Sequence, residues 1–311
     1  MVSNPDHKVR TRCAHLLHAS FRPFPFHDLP VELALRILFF ATACSQGTYR
    51  SLLLTNKQIC EWIRIEMLSG VSVILTTDRQ MEAFKYYIEQ RPEVIPHIHS
   101  LWAISPGSFH RIARTCVSII NMCTSIRSLA CHPQVLLQSI CQGPFKHTDC
   151  VDLTMIEFRV TWNSFMQSPS GAQFFNNIAR LHFIGALEQN LWANWAVIPR
   201  LQNLTRASIA MGSHRVISPA LFAQVVQSPK LKQVVITTRL HGEDQQMISD
   251  AAQAIDDRFS VIHRRRRWKE SNLWHESLQD PNRFWDQAKE EKYLPPAPRP
   301  QKLPANGTVS G

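Results

Sequence analysis

The chain has 311 residues, 44% of them hydrophobic, and a formal net charge of +10 from 34 lysines and arginines against 24 acidic residues. That content suffices for a large core, in one extended domain or two compact ones, and no window approaches the ~18 uninterrupted apolar residues of a membrane span. The charge excess sits at the ends: residues 1–27 hold four bases against one acid and residues 263–311 hold ten against six, so a nucleic-acid-binding fold with a basic face is not the first expectation.

Residues 1–26 mix basic, His and Pro residues with no apolar run of secretory length, and are expected to form a disordered basic N-terminus. Eight cysteines stand at positions 13, 44, 60, 116, 123, 131, 141 and 150, with no Cys-x-x-Cys pair and none later. This pattern predicts free thiols in a reducing compartment. Cys131, His132, Cys141, His147 and Cys150 fit no familiar zinc-ligand spacing, and no cofactor is expected.

The first organised stretch is 27–68. Asp28 can cap a helix, Pro30 suits its first turn, and Glu32 complements the helix dipole there. Leu33, Ile37, Phe40 and Ala41 then recur at helical spacing along one face, and Leu35, Leu38 and Phe39 add a second apolar face. A short helix that is apolar on two sides needs two partners, and one of them is expected outside this chain. After a polar linker from Thr42 to Thr48, Leu52-Leu53-Leu54-Thr55-Asn56-Lys57 reads as a second helix and its turn, with Ile59, Trp62 and Ile63 on a third.

These residues, from Leu29-Pro30 and Glu32-Leu33 through Ile37-Leu38 to Trp62, resemble the F-box, a three-helix docking motif. The resemblance implies a Skp-type adaptor as partner and, through it, a cullin–RING ubiquitin ligase. It also implies that Leu29, Pro30, Leu33, Ile37, Leu38, Leu52, Leu54 and Trp62 carry the adaptor-facing and motif-core contacts. The long linker and Thr55, where many members carry Val, depart from the family pattern.

Residues 69–96 read as a connecting strand at 71–75 and a helix capped by Thr76-Thr77-Asp78, with Met81, Phe84, Tyr87 and Ile88 on one side. From 97 to 263 a rhythm sets in. Segments rich in β-formers begin at 98, 126, 150, 178, 204 and 231, and a weaker seventh follows near 258. Between them Phe109 to Met122, Gln134 to Cys141, Gly171 to Asn177, Ala220 to Gln227 and Asp244 to Ile255 read as helices, with prolines at the unit edges. A strand and a helix every ~24–28 residues resembles a leucine-rich-repeat solenoid, here irregular because the Leu and Asn text is eroded. The fold class expected is therefore an α/β repeat: an N-terminal three-helix F-box followed by a degenerate β/α solenoid. A compact mixed α/β domain is the alternative.

Residues 264–293 hold a basic block and a capping helix. Arg264, Arg265, Arg266, Arg267 and Lys269 fit a nuclear import signal, a contact for an acidic partner, or a solvated segment. Ser271 to Lys292, interrupted at Pro281, is an amphipathic helix expected to cover the open C-terminal end of the solenoid, or else to bind a partner. Residues 294–311 form a Pro-rich tail expected to be disordered.

Phosphate-binding glycine motifs, a nucleophile elbow and His-Glu-x-x-His are all missing from the sequence. His97 and His99 alternate along an expected strand with no further ligand-like residue near them. The reading is a non-enzymatic substrate receptor, monomeric within its complex, cytoplasmic and/or nuclear, with no membrane partner. His99, Trp102, Arg127, Thr154, His182 and Arg206 are the candidate contacts for a protein substrate. The alternatives are a scaffold of the same architecture without a ligase link, and a nucleic-acid-binding protein acting through the basic block.

Overall fold

The computed structural model describes residues 26–104, 109–141, 146–156, 162–184, 201–211, 219–240, 243–263 and 270–293. The expected N-terminal and Pro-rich tails and the basic block at Arg264–Arg267 and Lys269 lie outside the described residues.

The described chain opens on three short helices, α1 (Val31–Cys44), α2 (Gln46–Leu53) and α3 (Lys57–Ile63). Asp28 does not cap α1. It belongs to a 3-10 turn, and Pro30 takes the N-cap position without a side-chain hydrogen bond, leaving Glu32 in the first turn to offset the dipole. The expected linker at Thr42–Thr48 is corrected as well. Helix α1 runs to Cys44, an extended Ser45 turns the chain, and the Thr48 amide donates to the Ser45 hydroxyl at 2.9 Å to start α2. The polar residues read as a loop are a helix end and a cap. Asn56 starts α3 in the same way, its side-chain oxygen accepting from the Ile59 amide at 2.8 Å. Leu38, Ile63 and Met67 form a small core between the helices, with Leu35, Leu52, Ile59 and Trp62 packed against it. Tyr49 and Leu68 enter the main core instead, so the helical motif is seated directly on the rest of the molecule.

Among the described residues eight strands follow: β1 (Ser72–Leu75), β2 (Ser100–Ala103), β3 (Ser128–Cys131), β4 (Asp152–Ile156), β5 (Arg180–Ile184), β6 (Arg206–Met211), β7 (Gln233–Thr238) and β8 (Phe259–His263). They form one parallel sheet in strict chain order, with β1 and β8 as its edges. Ser72, Ser100, Ser128, Asp152, Arg180, Arg206 and Gln233 stand in one row across it, which reproduces the spacing seen in the sequence and adds a unit before it. The strand expected as a bridge is thus the first strand of the same sheet, and Phe259, paired with Val234, begins the last.

Most strands start two residues after the segments marked in the sequence. The leading residues Ile98, Ile126, Cys150, Ile178, Leu204 and Leu231 are buried in the turn that precedes the strand, not in the ladder. Several of these turns repeat one bond, from the leading amide to the carbonyl three residues back, as in Ile98 to Ile95, Ile178 to Phe175 and Leu231 to Ser228. His97 ends a 3-10 segment, Pro92–His97, so it shares no strand face with His99.

The intervening helices are α4 (Asp78–Gln90), α5 (Phe109–Met122), α6 (Pro133–Cys141), α7 (Trp162–Met166), α8 (Pro169–Asn177), α9 (Pro219–Val225) and α10 (Glu243–Gln253). Thr77 and Gln80 close a capping box at the start of α4. Sequence reading missed α7, a single short turn. These helices pack on one face of the sheet, where Leu101, Leu129, Leu153, Leu181, Val234 and their ladder neighbours join side chains such as Met81, Ile120 and Phe222 in one apolar core.

A parallel sheet normally requires cover on both faces. The second face is closed by the C-terminal pair α11 (Glu270–Gln279) and α12 (Arg283–Tyr293), broken around Pro281 as the sequence predicts. They reach beyond the C-terminal end of the sheet: α11 lies nearest β1 and α12 nearest β7 and β8, forming a strap over the sheet.

Candidate functional site

Two surfaces stand out, one on α1 and one beneath the strap. Helix α1 buries Ala34, Leu38 and Thr42 toward the molecule. Its other side remains open: Leu33, Ile37 and Phe40 are 49%, 46% and 59% exposed, and Leu54 after α2 is 86% exposed. Of the nine large hydrophobic residues exposed among the described residues, six lie between Val31 and Leu54. Exposed apolar groups concentrated in one place mark an interaction surface more often than scattered ones do. The expected adaptor residues therefore divide by role. Leu38 is a core residue, Leu52 and Trp62 pack at the margin of that core, Leu29 is half-buried, and Pro30, Leu33, Ile37 and Leu54 face outward.

The second surface is the sheet face opposite the helices. Side chains alternate along a strand, so Ile74, Trp102, Ala130, Thr154, His182, Ser208 and Val235 share one row here, pair by pair in the ladder. The expected open strand surface is corrected at four positions, because the strap covers them. The ring of Trp102 lies 5.6 Å from that of Trp274, and both are buried with Ala130. His182 meets Phe284 and Trp285 at 5.7 and 5.2 Å, Arg206 lies over the Trp285 ring, and Thr154 is buried. The two remaining candidates sit just before strands, Arg127 exposed and His99 half-buried. The six residues thus do not converge on one open site.

Hydrogen bonds among the described residues hold the strap at both ends. Arg206 donates to the Asn282 side-chain oxygen at 2.8 Å, and the Gln233 amide donates to the Trp285 carbonyl at 2.8 Å. At the other end Gln279 donates to the Ala43 carbonyl at 2.6 Å, and His275 Nε2 donates to the Cys44 carbonyl at 2.8 Å. These last two accept at the C-terminal end of α1, where helix carbonyls lack intrahelical partners. The strap therefore touches both the sheet face and the C-terminal end of α1. Nothing in the local sequence signals these contacts, since they join residues 52 to 236 positions apart.

Beneath the strap lies a polar cluster that sequence reading missed except for His182. Arg180 donates to Asp152 at 3.0 Å, and His182 Nδ1 meets the Ser208 hydroxyl at 2.7 Å. Burial lowers the His182 pKa, while Asp152 acts in the opposite direction. The imidazole is therefore neutral at neutral pH, and its 3.7 Å approach to Asp152 is no ion pair. Asp152 had one readable signal: an acid at the row position where three preceding units carry serine.

The thiols are placed for packing. Burial pushes Cys116 and Cys123 up to about 12, and Cys131 and Cys150 are raised too, so none of them supplies a thiolate at neutral pH. Cys44 and Cys60 are free and more accessible. Among the described residues no group of three or more His, Cys, Asp or Glu is placed to hold a metal ion, and no helix is long and apolar enough to cross a membrane. No family model matches the chain, and comparison with curated proteins and with solved structures likewise finds no match.

Proposed function

We propose that this chain is a non-enzymatic receptor that docks a Skp-type adaptor on α1 and presents the rest of the molecule to a protein substrate. The observation that carries the reading is the apolar stripe of Leu33, Ile37 and Phe40, left exposed by a helix that buries Ala34, Leu38, Thr42 and Ala43 toward the molecule. A partner that covers this stripe removes apolar area worth roughly 25 cal/mol per Å² from water. Four of the eight positions that the resemblance to the F-box assigns to adaptor and motif-core contacts, Pro30, Leu33, Ile37 and Leu54, stay open. In this reading the helical motif is an F-box, the sheet and its helices are a degenerate leucine-rich-repeat solenoid, and a cullin–RING ligase brought by the adaptor supplies the ubiquitin chemistry. The chain itself supplies proximity.

Co-expression with a Skp-type adaptor tests this. Wild type is expected to co-purify with the adaptor as a stoichiometric complex. Leu33→Asp, Ile37→Asp is expected to lose the adaptor while keeping the wild-type melting temperature within a few degrees, because both side chains are half-exposed. A double variant that still binds, or a wild type that never does, overturns the reading and leaves a scaffold without a ligase link.

A further inference from the structure

Between the sheet and the two helices of the strap lies a cavity of about 80 Å³. One water needs about 10–15 Å³ on this scale, so the space admits roughly six non-hydrogen atoms, the size of a single ring. Its floor includes the row Thr154, His182 and Ser208 on β4, β5 and β6. Ile184 and His263, the last residues of β5 and β8, line it too, so it lies toward the carboxyl ends of the parallel strands. Open parallel sheets bind their ligands at that end. Trp274 of α11 and Phe284 of α12 supply aromatic walls. Both are anchored, Trp274 against the ring of Trp102 and Phe284 against that of Trp285, so the cavity is a preformed part of the packed molecule. Apolar walls around a few convergent polar groups are the usual form of a small-molecule site.

The polar floor has a direction. His182 Nε2 faces Asp152 Oδ1 at 3.7 Å, and the carboxylate favours the tautomer that carries its proton on Nε2. Nδ1 is then an acceptor, and the Ser208 hydroxyl 2.7 Å away donates to it. The Ser208 oxygen is left to accept on the side of the cavity that it lines. A group that meets it must therefore donate a hydrogen bond. That group is also uncharged. Arg180 and Asp152 pair with each other behind the floor, so neither offers a buried ion a counter-charge, and an unpaired ion bears its full desolvation cost there. The charged lining residues Glu270, Glu276 and Arg283 carry both signs and belong to the strap, with Glu276 and Arg283 exposed to water.

We propose that this cavity binds a phenolic ring, whose hydroxyl donates to Ser208 and whose uncharged ring lies among Trp274, Phe284, Ile184 and Ile262. Ring-sized space and aromatic walls select an aromatic body over an aliphatic one, and the Ser208 acceptor selects a ring with a donor. The site lies on the covered sheet face and does not depend on what docks on α1.

Isothermal titration of the full-length protein tests the proposal. Phenol is expected to bind at one saturable site with a Kd of about 1 mM or tighter. Fluorobenzene, a ring of similar size without a donor, is expected to bind about tenfold more weakly or worse, because it leaves the Ser208 oxygen unpaired. Benzoate, an anion at neutral pH, is expected not to bind. Ala210→Leu fills the cavity from the sheet and Leu273→Trp fills it from the strap, and each folded variant is expected to lose phenol. The comparison of phenol with fluorobenzene needs no substitution and stands even if neither variant folds. N-acetyltyrosinamide separates two sources of the same ring: if it binds as phenol does, the ring is a tyrosine side chain of a partner, and if it is excluded, the ring belongs to a free small molecule. No saturable binding of phenol, equal affinity for fluorobenzene, or phenol binding that both filled variants retain overturns the proposal.

Discussion

His182 shows how a residue that looks generic in sequence acquires a defined state from its neighbours. It faces Asp152 on β4, Arg180 on its own strand, Ser208 on β6 and two aromatic rings of α12. Burial holds its pKa below the ordinary value, and His99 and His147 are lowered for the same first reason. A lowered folded pKa means that the unfolded chain takes up protons first as the pH falls. The stability these groups contribute is therefore fully present above about 6.5, the unfolded value, and is lost as the pH drops toward the folded values. Melting temperature is expected to fall between pH 7.5 and 5.5, and His182→Gln to reduce that fall. A flat profile contradicts the assignment. Asp256 works at a lower pH: the side-chain hydrogen bond from Arg258 brings it down to about 2, so its contribution is lost only as the pH falls below about 4. Gly171 makes the steric case, since a Cβ there would collide with the carbonyl oxygen of Phe165. Gly171→Ala is expected to lower stability by about 1–3 kcal/mol in urea unfolding, the range for overpacking.

At the scale of elements, the capped and periodic helices were readable and the contacts between distant elements were not. Thr77 and Gln80 mark the start of α4 by local chemistry alone, and α5 keeps the bounds its apolar spacing predicts. Ser45 misled because the same polar residues serve a loop or a cap, and only the extended conformation of its neighbourhood distinguishes them. The two faces of α1 were visible as an excess of apolar residues, but which face packs inward depends on Ile63 and Met67, outside the helix. That division yields a paired prediction. Leu38→Ala is expected to cost about 2–5 kcal/mol in denaturant unfolding, as for other buried leucines. Ile37→Asp, one residue earlier, is expected to cost less than about 1 kcal/mol. Equal losses would mean that α1 is packed on both sides within this chain. The strap's position over the sheet was legible only as an amphipathic pattern needing a partner. An aromatic helix face carries no record of which apolar surface it meets, so Trp274 and Trp285 pointed to burial without pointing to Trp102 or Arg206.

For the whole molecule, the spacing of the strands was the strongest signal, and the ladder registers follow it unit by unit from β2 to β7. The reason is physical: a parallel ladder in chain order admits one register per unit, so an insertion in a connecting segment changes the step without moving the row. The unit at β1 escaped because its step precedes the first marked segment. The covered sheet face escaped because a row such as Trp102, Thr154 and His182 reads equally well as a surface open to a partner or as one closed by the chain's own terminus. The account therefore rests on a division of labour, with docking on α1 and a covered face on the sheet. Hydrogen–deuterium exchange of the purified chain with and without a Skp-type adaptor tests the docking half directly. The account predicts slowed exchange over residues 31–44 and around Leu54, with the strands β2–β7 unchanged. Protection confined to the sheet, or an exchange pattern that the adaptor leaves untouched, would contradict it.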